Sequence, residues 1–177
     1  MSPREARAAT FLSGFGLKVE KVAEGATKTA DFRVTASDQF DFHGEVKAIE
    51  GPGQDKPMTW DSICNRIGSD IRKAVAQFDA VNPSHSAPNV LIFLAEDMRI
   101  HWRLMKDFFE GKIEIEGQTI ADLTRHRFGR VRQALPVVDL FILLDTGDNL
   151  TLFFTGSDPT FLPKLATLFN LRVETEA

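Results

Sequence analysis

The sequence predicts an α/β domain, and three observations carry that prediction. Apolar and polar residues alternate over 17–22, 32–35 and 40–48, the period of a half-buried strand. A long apolar stripe at helical spacing runs from Trp60 to Val81. Residues 90–95 are wholly apolar, which suits a buried strand. With a helix at the start, residues 1–95 read helix, strand, strand, strand, helix, strand.

Ser2-Pro3-Arg4-Glu5 opens the first helix. A serine N-cap, proline in the first turn and glutamate three residues later form a capping box. Ala6, Ala9 and Leu12 follow at helical spacing, and Gly14 and Gly16 offer a left-handed stop. Phe32 and Val34 give the second strand an apolar side. In the third, Phe40, Phe42, Val46 and Ala48 share one face, and Asp41, His43, Glu45 and Lys47 share the other. Gly51-Pro52-Gly53 begins a loop. The long helix then places Trp60, Ile63, Ile67, Ile71, Val75, Phe78 and Val81 on one stripe, and Arg66, Asp70, Lys73 and Gln77 opposite.

Beyond residue 95 the pattern predicts a helix over 98–110 stopped by Gly111, then strand and turn over 112–117. A basic stretch covers 125–132. Residues 137–144 are apolar apart from Asp139 and pair with 150–155 as a buried hairpin. A terminal helix begins at Asp158-Pro159 and packs through Phe161, Leu162, Leu165 and Phe169. No repeat or domain boundary interrupts the chain, so 1–177 reads as one domain.

Composition narrows the function classes. Hydrophobic residues make up 43% and charged residues 26%, as in ordinary soluble folded proteins. No apolar run approaches the roughly 20 residues that span a bilayer. The charged N-terminus does not resemble a signal peptide. One cysteine, Cys64, allows neither an internal disulfide nor a cysteine metal cage. A cytoplasmic protein without membrane partners is expected. The net charge of -4 excludes a uniformly basic nucleic-acid coat. Only residues 99–133 are net positive, with 8 basic and 5 acidic side chains. H-E-x-x-H, paired C-x-x-C, G-x-S-x-G and a complete phosphate-binding loop are all missing.

Ala30-Asp31 stands at the second strand, and Glu45-Val46-Lys47 follows fourteen residues later on the third. In this setting the chain resembles the PD-(D/E)XK nuclease superfamily, with alanine replacing the motif's proline. The tripeptide alone is weak: with 11 glutamates and 9 lysines, chance supplies about half of one E-x-K, and Glu110-Gly111-Lys112 is a second copy. The element order carries the resemblance. It implies a restriction-endonuclease-like αβββαβ core over 1–95, a mixed sheet flanked by helices, to which the pattern of 96–177 adds a helix-hairpin-helix elaboration.

The resemblance also implies metal-dependent phosphodiester hydrolysis, with DNA as the expected partner. Asp31, Glu45 and the Val46 backbone carbonyl would bind Mg²⁺ or Mn²⁺, with Glu5 as a further ligand. Lys47 would orient the attacking water and stabilise charge on the phosphate. Lys73 and Gln77 on the long helix, and Arg125, Arg127 and Arg130 in the basic stretch, are the expected substrate contacts. His43 could touch substrate, and Trp102 with Arg99, Arg103 and Lys106 could form a stacking surface.

Each feature has a plainer explanation. The polar face of the third strand could simply meet water, Glu5 could serve only as a cap, and Glu114 and Glu116 could line an exposed hairpin. A catalytically idle binding or assembly module on the same fold is the competing function. A small-molecule enzyme or interaction protein is a further one; it requires Asp31 and Glu45 to lie apart. A homodimer or a partner protein fits any of them.

Overall fold

Two hydrophobic layers, one on each side of a single sheet, organise the chain. The computed structural model describes residues 1–23, 29–36, 40–51, 59–115, 118–122, 128–155 and 158–170. Helix α1 (Pro3–Gly14) starts with the full capping box: Glu5 N–H donates to Ser2 Oγ at 3.3 Å, and Ser2 N–H donates to Glu5 Oε2 at 2.7 Å. Gly16 takes the left-handed conformation just beyond its end, at φ +76°. Strands β1 (Lys18–Lys21), β2 (Phe32–Thr35) and β3 (Asp41–Ile49) form an antiparallel meander.

Helix α2 (Trp60–Val81) crosses over to β4 (Asn89–Ala95), which lies parallel to β3. Helix α3 (Trp102–Glu110) ends at Gly111, left-handed at φ +70°. A separate hairpin, β5 (Lys112–Ile115) and β6 (Gln118–Asp122), precedes α4 (Phe128–Ala134) and a 3-10 turn (Leu135–Val137). Strand β7 (Leu140–Leu144) joins β4 in parallel, and β8 (Leu150–Phe154) closes the sheet antiparallel to β7. Helix α5 (Phe161–Leu168) follows. The sheet order is β1-β2-β3-β4-β7-β8, a six-stranded mixed sheet flanked by helices.

Alternation sorts the side chains between the layers. Ile49, Leu91, Phe93, Phe141 and Leu143 face α2, α3 and α4. Phe42, Val90, Ile92, Leu94, Leu140 and Ile142 face α1 and α5. Because both sides are covered, β4 and β7 are buried at every position, matching the apolar runs 90–95 and 140–144. No helix among the described residues is long and apolar enough to cross a membrane.

Several elements depart from the sequence pattern. The polar side of β3 faces α2, not water: Glu45 is 1% exposed. The polar stripe of α2 is likewise partly buried, including Asp70 and Gln77. Helix α3 starts at Trp102, because Asp97 holds a turn by accepting from Arg99 N–H at 2.9 Å. Residues 96–177 contain more than a helix, a hairpin and a helix, since β5, β6 and α4 intervene and β7–β8 extends the main sheet. The lone acid of the apolar run, Asp139, ties strand ends together. Its Oδ2 accepts from Asn89 N–H at 2.8 Å and lies 2.7 Å from His85 Nε2.

The close approach of α2 to α4 rests on Gly68. A Cβ there would stand 2.9 Å from Val131 Cγ2. Gly68→Ala should therefore destabilise the protein by about 1–2 kcal/mol despite its gain in helix propensity. Adding Val131→Ala should recover part of the loss, as chemical denaturation would show.

Candidate active site

The candidate site forms where β2 begins and β3 runs on without it. The β2–β3 register begins at Phe32 opposite Gly44, and β3 continues to Ile49 with β4 alone beside it. Side chains take over where backbone pairing stops. Asp31 Oδ2 accepts the Val46 N–H at 2.9 Å, and Glu45 Oε2 accepts the Asp31 N–H at 3.1 Å. The two acids of the sequence motif are thus locked to each other's backbone neighbourhood by a reciprocal exchange. A strand residue points its N–H and C=O to the same side, so the Val46 carbonyl is directed toward this same open edge.

Lys47 comes from the same face of β3 as Glu45. Its Nζ bonds Glu45 Oε1 and donates to Gln77 Oε1 at 2.8 Å. Gln77 Nε2 in turn donates to the Thr29 carbonyl at 2.9 Å, tying α2 to the chain just before Asp31. The result is a buried chain of partners: Lys47 is 11% exposed at its side chain and Gln77 3% overall. Burial pushes the Glu45 carboxyl up to about 7 against the pull of Lys47, and the neighbouring Asp31 charge adds to the rise.

Asp31, Glu45, Val46 and Lys47 line a cleft of about 300 Å³ together with Ser2, Arg4, Glu5, Ala48, Arg66 and Asp70. Glu5 serves both as the α1 cap and as a cleft wall. Burial opposes its charge, but hydrogen bonds from Lys21, at 2.9 Å, and from the Ser2 backbone hold its carboxyl below the ordinary value. Four carboxylates, Glu5, Asp31, Glu45 and Asp70, line this one small space, with the Val46 backbone nearby. Such a donor set suits a hard divalent cation that keeps several waters. The donor chemistry is the sign of fit: the Asp31 and Glu45 carboxylates, each held by a backbone N–H, and Glu5 on the same cleft are hard oxygen donors that would suit such a cation. Among the described residues, no three His, Cys, Asp or Glu side chains already enclose an ion position.

The remaining sequence candidates are dispersed. Lys73 is largely exposed and donates to Asp70 Oδ1 at 3.1 Å, outside the cleft lining. Gln77 is reached through Lys47, as a buried positioning group. Arg125 and Arg127 lie outside the described residues, and only the backbone of Arg130 is described, within α4. The side chains of Glu114 and Glu116 lie outside them too. His43 is half-buried beside the site face, and burial lowers its tendency to protonate. Trp102 is 51% exposed, with Arg103 stacked 5.8 Å from its ring. The Cys64 thiol is pushed up by burial to about 12, which leaves it unreactive. Sequence reasoning missed Arg4 and Arg66 as cleft residues. The only signal was their position: one sits beside the capping glutamate, the other on the polar stripe of α2.

The Glu45 shift predicts a pH dependence. Its folded value near 7 lies above the ordinary 4.5, so its contribution to stability is fully present below pH 4.5 and is lost as pH rises through 7. In chelator, the melting temperature of wild type should fall across that window relative to Glu45→Gln. Parallel curves for the two proteins across pH 4.5–7 would contradict the buried, charge-poor carboxyl. Glu5 acts in the opposite sense and in a lower window, its contribution disappearing as pH falls below 4.5.

Comparison of the chain with family models, curated proteins and solved structures returned no match.

Proposed function

We propose that the chain is a cytoplasmic, metal-dependent nuclease of the PD-(D/E)XK type, built on a restriction-endonuclease-like core and cutting DNA. One observation carries this reading: Asp31 and Glu45 meet across adjacent strands with the Lys47 ammonium on Glu45. The order α1-β1-β2-β3-α2-β4 around that meeting point supports it. The reading that needed Asp31 and Glu45 to lie apart loses its condition.

Asp31, Glu45 and the Val46 carbonyl would hold Mg²⁺ or Mn²⁺, with Glu5 close by. The bound ion supplies Lewis-acid polarisation of the phosphate and a more acidic bound water. The protein's own groups do the remaining work. The reciprocal Asp31–Glu45 bonds fix both carboxylates before a ligand arrives, so little reorganisation remains. Lys47, on the same face of β3 as Glu45, would present its ammonium to the attacking water and to the phosphate oxygens. Gln77 would keep Lys47 aimed, because its amide is anchored on the Thr29 carbonyl.

The competing reading, an idle binding or assembly module, draws on one specific feature. Lys47 is fully engaged by Glu45 and Gln77, an arrangement that also serves as a structural ion pair in a buried site.

Cleavage assays on supercoiled, linear duplex and single-stranded substrates decide between them. Wild type should cut with Mg²⁺ or Mn²⁺ and stop with chelator. Glu45→Ala and Lys47→Ala should each lower cutting by at least about a hundredfold, with circular dichroism unchanged. Undiminished cutting by both variants would exclude this site. Calorimetry with Mn²⁺ should give binding that requires Asp31 and Glu45 together. Metal binding without cleavage of any substrate would favour the idle module.

A further inference from the structure

Building on the nuclease reading of the cleft, we infer that Arg4 and Arg66 are its phosphate clamp, and that Glu50 occupies the clamp until the nucleic-acid backbone displaces it. The cleft itself poses the problem. Four carboxylates line it, Glu5, Asp31, Glu45 and Asp70, and a phosphodiester entering must overcome their field. The cations among its described lining residues are Arg4, Lys47 and Arg66. Lys47 lies deep and is committed to Glu45 and Gln77. Contact with the backbone on either side of the reacting phosphate therefore falls to the two arginines.

Their present partner has the right shape for the comparison. Glu50, one residue beyond β3, accepts one guanidinium on each carboxylate oxygen: Arg4 Nη2 on Oε1, and Arg66 Nη2 on Oε2 at 3.1 Å. A phosphodiester also offers two non-bridging oxygens on one centre, and guanidinium groups match such oxygens closely. Arg66 Nη1 also donates to the Glu50 carbonyl at 3.4 Å. Arg4 keeps a second hold, a two-pronged pair with Glu96 at 2.6 and 2.9 Å, which would keep it in place after Glu50 is displaced. The arginines approach from opposite sides of the sheet, Arg4 from α1 and Arg66 from α2. The side chains of Arg4 and Glu50 are each 46% exposed and that of Arg66 39%, so exchange with an incoming anion is open, and ion pairs at such exposure add little to fold stability.

The test reads binding in chelator, where no cleavage occurs, by fluorescence anisotropy of a labelled 20-base-pair DNA duplex and its single strand across a sodium chloride series. Arg66→Ala should weaken binding roughly tenfold and make the slope of log affinity against log salt shallower by about one. Arg66→Lys, which retains the charge, should keep most of the slope and tests the position should the alanine variant fold poorly. Glu50→Gln should tighten binding several-fold by freeing the clamp. Glu20→Gln removes the same charge from an exposed β1 position and should leave affinity within twofold. If Glu50→Gln lowers the melting temperature without tightening binding, or if Arg66→Ala leaves affinity and slope unchanged while wild type binds, the arginines are a structural staple and the clamp is wrong. If wild type binds neither probe at low salt, the clamp is wrong, while the nuclease reading stands or falls separately on cleavage with Mg²⁺ or Mn²⁺.

Discussion

A sheet covered on both sides leaves the charged side of β3 little contact with water, and the local structure follows from that constraint. Glu45 and Lys47 are carried on the face that α2 covers, so each must find partners within the protein. Lys47 is satisfied by Glu45 and Gln77, Gln77 by Thr29, and Glu45 by Asp31. Burying an acid costs several kcal/mol unless it is paired and hydrogen-bonded, so the partners are obligatory. The continuation of β3 past the start of β2 provides the opening: where β2 is absent, Val46 N–H needs an acceptor, and the Asp31 carboxylate supplies it.

The same bonds therefore serve the fold and any chemistry. An Asp31 oxygen that completes the sheet edge is already fixed, and a Glu45 carboxylate held by the Asp31 backbone cannot swing away. Pre-positioned carboxylates gain affinity for a cation by losing little freedom when it arrives. Against this stands the cost of burying the acid. Burial raises the Glu45 carboxyl to about 7 against the pull of Lys47, and the Asp31 charge adds to the rise.

How much of this was legible in the sequence differs by element. The capping box of α1, the strand order through β4 and the apolar β7–β8 hairpin follow local rules, and those rules act within a few residues. The meeting of Asp31 with Glu45 was legible as well, because period two and a short connection bring β2 and β3 side by side. Burial was not. Alternation distinguishes two faces of a strand without saying what covers the polar one, and a helix thirty residues on, at Gln77, decided it. Hence Asp70 and Gln77 read as a solvated stripe. Strand β6 went unread because its sequence carries little alternation, and α3 begins late because Asp97 captures the local backbone in a turn.

Arg4 and Arg66 escaped for a different reason: each is unremarkable alone, and only the convergence of three segments on Glu50 gives them meaning. Glu50 follows β3 directly, Glu96 follows β4, and these strands are parallel neighbours, so their ends emerge together. Ile49 accepts the Glu96 N–H at 3.0 Å, which sets the two acids side by side. Arg4 is delivered to that place by the first turn of α1, whose capping glutamate faces the cleft one residue later. The parallel pairing of β3 with β4 thus fixes the site's rim as firmly as the β2–β3 pairing fixes its floor. A substitution that shifted β3 against β4 by even one residue would separate Glu50 from Glu96 and turn Glu45 and Lys47 to the α1 side of the sheet, losing both at once.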